Sequence, residues 1–249
     1  MNTAWLHFFK SINDKAKYRL YCFPCAGGGA LSFQSWSNMF GSEIEVCAIQ
    51  LPGRESRFNE DTITDIYEIS RKIANEIIEI QKEGKPFVFL GHSMGSLISF
   101  EVARYLRKKE FQLPNQIFLS SINAPENNKF NRYIHKLSDG EFLNYIKILN
   151  GTPEGFFNDP RVQKLYLPIL RSDFKAVEMY EFYSEEPFHF PITVLGGEED
   201  KLISTEGLER WQRETNSTFT LKLFPGDHFY FQKESCQDLI NYLKERLLN

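Results

Sequence analysis

Six short apolar runs constrain this chain more than any other feature: YRLYCF (18–23), IEVCAI (44–49), FVFLG (87–91), QIFLSS (116–121), PITVLG (191–196) and FTLKLF (219–224). Continuous apolar runs of this length suit parallel strands covered on both faces. Between them the period changes. Ile66, Ile69, Ile73, Ile77 and Ile80 recur at three- and four-residue steps, and Ile98, Val102 and Leu106 stand four apart, so each set lies along one helical face. Helical segments are also expected at 31–40 and directly after Gly95. Strand runs alternating with helices predict an α/β fold with a mostly parallel, doubly wound sheet. The 249 residues are enough for one large core, and a single domain over 1–249 is expected.

One stretch breaks the rhythm. From about 126 to 187 no strand run occurs, but SDGEFLNYIKIL carries Ser138 as an N-cap with Glu141 three residues on, and YLPILRSDFKAVEMYEFY is helical in character. Some sixty residues exceed what a crossover between consecutive strands requires, so the stretch is expected to be an inserted helical lid. Its apolar positions Phe142, Tyr145, Ile146, Leu149, Leu165, Leu167 and Leu170 must cover something, and the open end of the sheet is the nearest uncovered surface.

The third run leads into Gly91-His92-Ser93-Met94-Gly95, a G-x-S-x-G pattern with a strand before it and a helix after it. This is the context of a nucleophile elbow. The turn holds Ser93 in a strained conformation, and a Cβ at either glycine would collide with a neighbouring strand or helix. The hydroxyl then projects above the sheet edge, and the Met94 amide points where an oxyanion would form. A serine alcohol needs a base, and the base needs an orienting acid. In this chain order the acid and then the histidine follow the serine. Of five histidines only His135, His189 and His228 follow Ser93, and His228 alone stands just after the final strand run. His228 is therefore the expected base. For the acid, the loop after 191–196 offers Glu198, Glu199 and Asp200, whereas the loop after 116–121 has no carboxylate. Asp200 is preferred because a short side chain a few residues past the strand can reach the imidazole. Asp227 is excluded as a sequence neighbour of His228, and Asp173 is read as structural. In CFPCAGGGA (22–30) the glycines allow close backbone approach, and Ala26 is assigned the second oxyanion amide, with Cys25 as the alternative.

Other chemistries fit poorly. Gly27-Gly28-Gly29 is neither G-x-G-x-x-G nor a P-loop with its lysine. Cys22 and Cys25 have C-x-x-C spacing, but no second such pair exists for a metal site, and the motif leads into glycines rather than a helix; buried thiols are expected. With 29 Lys plus Arg against 33 Asp plus Glu and no basic block, nucleic acid is a poor partner. No apolar run approaches a membrane span and the N-terminus lacks a signal-peptide pattern, so a cytoplasmic protein without membrane attachment is expected.

With FPCAGG, LPGRESR (51–57), FLGHSMGS, LRSDFKAVEMYEFY (170–183), GGEEDKLIS (196–204) and GDHFYF (226–231) in place, the sequence resembles the type II thioesterases. These are the stand-alone α/β-hydrolases that serve nonribosomal peptide and polyketide synthases. The resemblance covers nearly the whole chain. It implies an α/β-hydrolase fold and hydrolysis of acyl thioesters from the phosphopantetheine arm of acyl or peptidyl carrier protein domains. It places Ser93, Asp200 and His228 on the triad positions, with no cofactor or metal needed, and the protein is expected to be a monomer. Cys25 departs from the residue many relatives carry there. Arg54 and Arg57 fit either contact with the carrier or its phosphate or solvated surface charges. The lid is expected to form a narrow apolar slot for short acyl groups. The rival readings are an esterase or general thioesterase acting on free substrates, an acyl transferase, and a hydrolase-fold binding protein with an idle triad.

Overall fold

The computed structural model describes residues 2–13, 15–81, 84–125, 133–232 and 235–248. All six apolar runs are strands: β2 (Tyr18–Phe23), β3 (Ile44–Ile49), β4 (Phe87–His92), β5 (Ile117–Ser120), β6 (Ile192–Gly197) and β7 (Phe219–Phe224). A seventh, β1 (Leu6–Phe8), was not expected; three residues are too few to show a period. The sheet order is β1-β3-β2-β4-β5-β6-β7, parallel throughout except for β1, which pairs antiparallel with β3. The order reverses between β3 and β4 around β2, as a doubly wound sheet requires. The described chain therefore has the α/β-hydrolase architecture implied by the resemblance.

Helices cover both faces: α1 (Trp36–Met39), α2 (Ile66–Ile80), α3 (Met94–Lys108), α4 (Asp139–Leu149), α5 (Glu154–Asn158), α6 (Pro160–Glu178), α7 (Thr205–Glu209) and α8 (Cys236–Leu248). Successive strand residues feed opposite layers. Tyr21, Phe23, Phe87 and Phe89 pack with Ile66, Ile69, Ile73 and Ile77 of α2 and Ile98, Val102 and Leu106 of α3. Leu20, Cys22, Val88 and Leu90 pack on the other side with Trp36 and with Leu239, Ile240 and Leu243 of α8. The segment 31–40 is less helical than expected, a 3₁₀ turn at Ala30–Phe33 followed by the single turn α1, neither with a side-chain cap. Ser32, Ser35, Ser37 and Asn38 favour helix weakly, and the segment is held by Phe33, Trp36 and Phe40 packed beneath it.

Between β5 and β6 lie α4, α5 and α6; positions 126–132 of the expected lid fall outside the described residues. Ser138 and Glu141 form the anticipated capping box on α4. Ile134, Phe142, Ile146, Phe156, Leu167 and Leu170 make a separate apolar cluster. Leu165 does not join it: at 51 % exposure it lies on the outer side of α6, away from the stripe of Val162, Leu167, Leu170 and Phe174 that faces the cluster. Free thiols are the state of all four cysteines, with Cys22, Cys25 and Cys47 buried.

Candidate active site

The carboxyl end of β4 turns sharply into α3 at Ser93, whose backbone sits at φ 53° and ψ −118°. L-residues adopt this conformation only when their surroundings enforce it. The glycines permit it: a Cβ on Gly91 would lie 2.3 Å from the Gly95 carbonyl oxygen, and one on Gly95 2.1 Å from that of Phe23 on β2. The turn is further braced across the sheet, with the Ser93 amide donating to the Ser120 carbonyl at 2.7 Å and Ser96 Oγ donating to that of Gly91 at 2.8 Å. Ser93 is half-buried and lines a cavity with His228, Met94 and Ala26.

His228 lies in the loop after β7 and Asp200 in the loop after β6. His228 Nδ1 and Asp200 Oδ2 are 2.7 Å apart, with the residues 6 % and 8 % exposed. An ionised carboxylate can only accept, so the proton belongs on Nδ1 and the Nε2 lone pair is free. The second carboxylate oxygen of Asp200 accepts the Leu202 amide at 2.9 Å, which fixes its orientation. Glu198 and Glu199 are exposed, and Asp227 accepts from Asn150 Nδ2 at 2.9 Å. His135 pairs with Glu178 and His189 is exposed, so neither shares the cavity with Ser93.

The donors around Ser93 follow from what is already occupied. The Gly27 amide donates to Asp173 Oδ2 at 2.7 Å and the Gly28 amide to the Cys25 carbonyl at 3.0 Å. The amides of Met94 and Ala26 donate to no protein acceptor among the described residues. Met94 opens the 15-residue helix α3, whose N-terminal amides favour negative charge. Cys25 borders the same cavity, but burial pushes its thiol up to about 12, which leaves it protonated and inert.

Sequence reasoning missed two features. His92 is fully enclosed. Its Nδ1 is 2.9 Å from Ser120 Oγ, which is in turn 2.9 Å from the Tyr230 hydroxyl, and its ring lies 4.4 Å from that of Phe231 and 5.1 Å from that of His228. Burial holds the His92 imidazole well below its ordinary range, hence neutral. The second is Arg54, neither a carrier contact nor a solvated charge: it is 3 % exposed and bound in a fork to Asp173 at 2.5 and 2.8 Å. Arg57 is likewise engaged internally, with Glu60 at 2.6 Å, the Gln50 carbonyl at 3.1 Å and the Trp5 ring at 4.3 Å. Partners as distant as Asp173 for Arg54 and Tyr230 for Ser120 leave no mark in local sequence.

The cavity holds about 130 Å³ and is walled by lid residues Tyr145, Ile146, Leu149, Leu170, Phe174 and Val177. A wider one of about 600 Å³, lined by Gly28, Val162 and Tyr166, shares Ala26, Leu170 and Phe229 with it. Among the described residues no cluster of three or more His, Cys, Asp or Glu could hold a metal ion, and no helix is long and apolar enough to cross a membrane.

Comparison with known proteins shows the family to which the chain is similar. The Thioesterase domain family matches residues 18–247. The gramicidin S biosynthesis protein GrsT of Aneurinibacillus migulanus is 42 % identical over 237 residues, covering 95 % of this chain and 91 % of that protein. The structure of RedJ, a thioesterase from the prodiginine biosynthetic pathway in Streptomyces coelicolor, superposes with a TM-score of 0.87 at 31 % identity, covering 92 % of this chain and 90 % of RedJ. BorB, the type II thioesterase from the borrelidin biosynthetic cluster, gives a TM-score of 0.86 at 28 % identity over 99 % of both chains.

Proposed function

Because this chain belongs to the thioesterase family, we propose that it hydrolyses acyl thioesters carried on the phosphopantetheine arm of acyl or peptidyl carrier protein domains, clearing aberrant acyl groups from a synthase. The observation that carries this reading is His228, paired with Asp200, lining the same cavity as a serine held at positive φ. Ser93 Oγ attacks the thioester carbonyl while His228 Nε2 takes its proton. Asp200 stabilises the imidazolium that results, and the Met94 and Ala26 amides stabilise the tetrahedral oxyanion. Collapse expels the pantetheine thiol, protonated by His228, and leaves acyl-Ser93. A water molecule then gives its proton to His228 and attacks the ester, and Ser93 departs with that proton as the acid is released. Thiolate is a good leaving group, so no metal or cofactor is invoked.

The narrow cavity suits a short acyl chain: its volume is close to the roughly 150 Å³ that accommodates a benzene-sized guest. The wider cavity, meeting it at Leu170 and Phe229, is the side from which the arm would enter. The test is hydrolysis of acetyl-carrier protein, acetyl-coenzyme A and a long-chain acyl-carrier protein by one preparation, together with fluorophosphonate labelling of Ser93. Fastest turnover of the first and a labelled Ser93 are expected. Preference for free coenzyme or the long chain would move the protein to the general thioesterase or esterase class, and an unlabelled Ser93 to an idle triad.

A further inference from the structure

Burying an ion pair stabilises a fold little relative to apolar residues of the same shape, so its retention directs attention to what it holds. Arg54 and Asp173, 3 % and 1 % exposed, join the loop after β3 to lid helix α6. Between them they grip consecutive residues of the glycine loop, Gly27 by its amide and Gly28 by its carbonyl. Asp173 Oδ2 accepts the Gly27 amide at 2.7 Å, and Arg54 Nη1 donates to the Gly28 carbonyl at 3.2 Å. Arg54 is itself fixed, its Nε on the Pro52 carbonyl at 3.2 Å and its own carbonyl on Gln50 Nε2 at 3.1 Å. From one turn earlier on α6, Leu170 presses on the same peptide: a Cβ at Gly27, where φ is +74°, would lie 2.4 Å from Leu170 Cδ2. Turning the Gly27 amide toward α6 fixes the peptide that joins it to Ala26, the residue assigned the second oxyanion amide, which lines the same cavity as Ser93.

We propose that the Arg54–Asp173 pair is a positioning device that locks the glycine loop to α6, so that the second oxyanion amide is aimed correctly only while this lid helix is seated. This rests on Ser93 being the nucleophile. An oxyanion donor acts through its placement relative to the developing charge, and a misplacement of about 1 Å can cost 10²-fold. A lid helix that sets this placement makes the chemistry dependent on how the acyl group and the arm leave α6 seated.

Two variants separate positioning from packing. Asp173→Asn keeps an oxygen for the Gly27 amide but removes the charge that holds Arg54. The double replacement Arg54→Met with Asp173→Leu fills the site with apolar groups and removes the acceptor altogether. Both should lower kcat by about 10- to 100-fold with KM within about threefold of the parent. Affinity for a trifluoromethyl ketone analogue of the acyl-pantetheine, which forms a tetrahedral adduct on Ser93, should fall by the same factor as kcat/KM. The thermal midpoint of the double variant should stay at or above that of the parent. Parental kcat and ketone affinity in the double variant would overturn the proposal, as would lost kcat with unchanged ketone affinity. If the double variant does not fold, Asp173→Asn is judged by the same two readouts. Ser93→Ala serves as the control for the underlying reading: turnover or ketone adduct formation without Ser93 would refute the nucleophile assignment itself. An inert Ser93→Ala beside parental behaviour at positions 54 and 173 would refute the positioning role alone.

Discussion

The carboxyl edge of the sheet and the lid above it are built to different standards. Ser93, Asp200 and His228 stand on turns that leave β4, β6 and β7, strands with both faces packed except at the β7 border. The lid has one small cluster around Phe142 and Phe156 and leaves Ile148, Leu165 and Met179 more than half exposed. Free energy of local opening follows buried apolar contact, so the groups proposed to react are set on the stiff part and those proposed to select on the softer one. Chemistry and selectivity can then change separately, provided that the ties between the two regions are kept.

The sharpest way to break this division is at the triad. His228→Ala should lower the rate of acyl-enzyme formation by about 10⁴-fold or more without moving the thermal midpoint. Asp200→Asn should cost about 10³- to 10⁴-fold, whereas exposed Glu199→Gln should stay within about twofold, both by single-turnover assay. A reversal of these two would reassign the acid. On stability, Phe89→Ala in the sheet should cost about 3–5 kcal/mol in denaturant unfolding. Phe142→Ala, equally buried, should take a smaller share of the global value and instead raise hydrogen exchange across α4 and α6; equal global losses would mean that the lid is no softer than the sheet. Leu149→Ala should enlarge the slot and raise the hexanoyl-to-acetyl ratio of kcat/KM by about tenfold, the worth of one or two methylenes in an apolar site.

The smallest effect concerns pH. His92 stays neutral in the folded protein because burial depresses its pKa, whereas in the unfolded chain it takes up a proton below about pH 6.5. The unfolded state then binds more protons, so stability falls as pH drops below that value, by at most about 1.4 kcal/mol per unit from this residue. His92→Gln should flatten that slope in urea titrations at pH 5–7. An unchanged slope would place the acid sensitivity elsewhere.

The sheet was legible because each of its strands but one is a run of apolar residues, and such a run has few alternatives. β1 escaped because three residues cannot establish a pattern. Ser93 and His228 could be located because the elbow has a steric grammar and the histidine a fixed place in chain order. Asp200 needed an argument about reach, and the exposure of Glu198 and Glu199 gives that argument its physical form. The Arg54–Asp173 fork spans 119 positions, and the chain from His92 through Ser120 to Tyr230 joins the ends of β4 and β5 to the 3₁₀ turn after β7. Neither has a period or a local spacing to read. Charge alone suggested an outward role for Arg54, and only its burial corrects that.

The two borders of the sheet bear on how this protein behaves in crowded surroundings. A bare strand edge is a template on which another chain can zip its own backbone. On one side that template is closed by a strand of only three residues, too short to recruit a long partner. On the other, β7 sets Lys222 in solvent, and Arg246 of α8 reaches Thr220 at 3.4 Å. A second copy arriving there meets a cation whose desolvation opposes docking. Strand-by-strand polymerisation is thus discouraged at both ends.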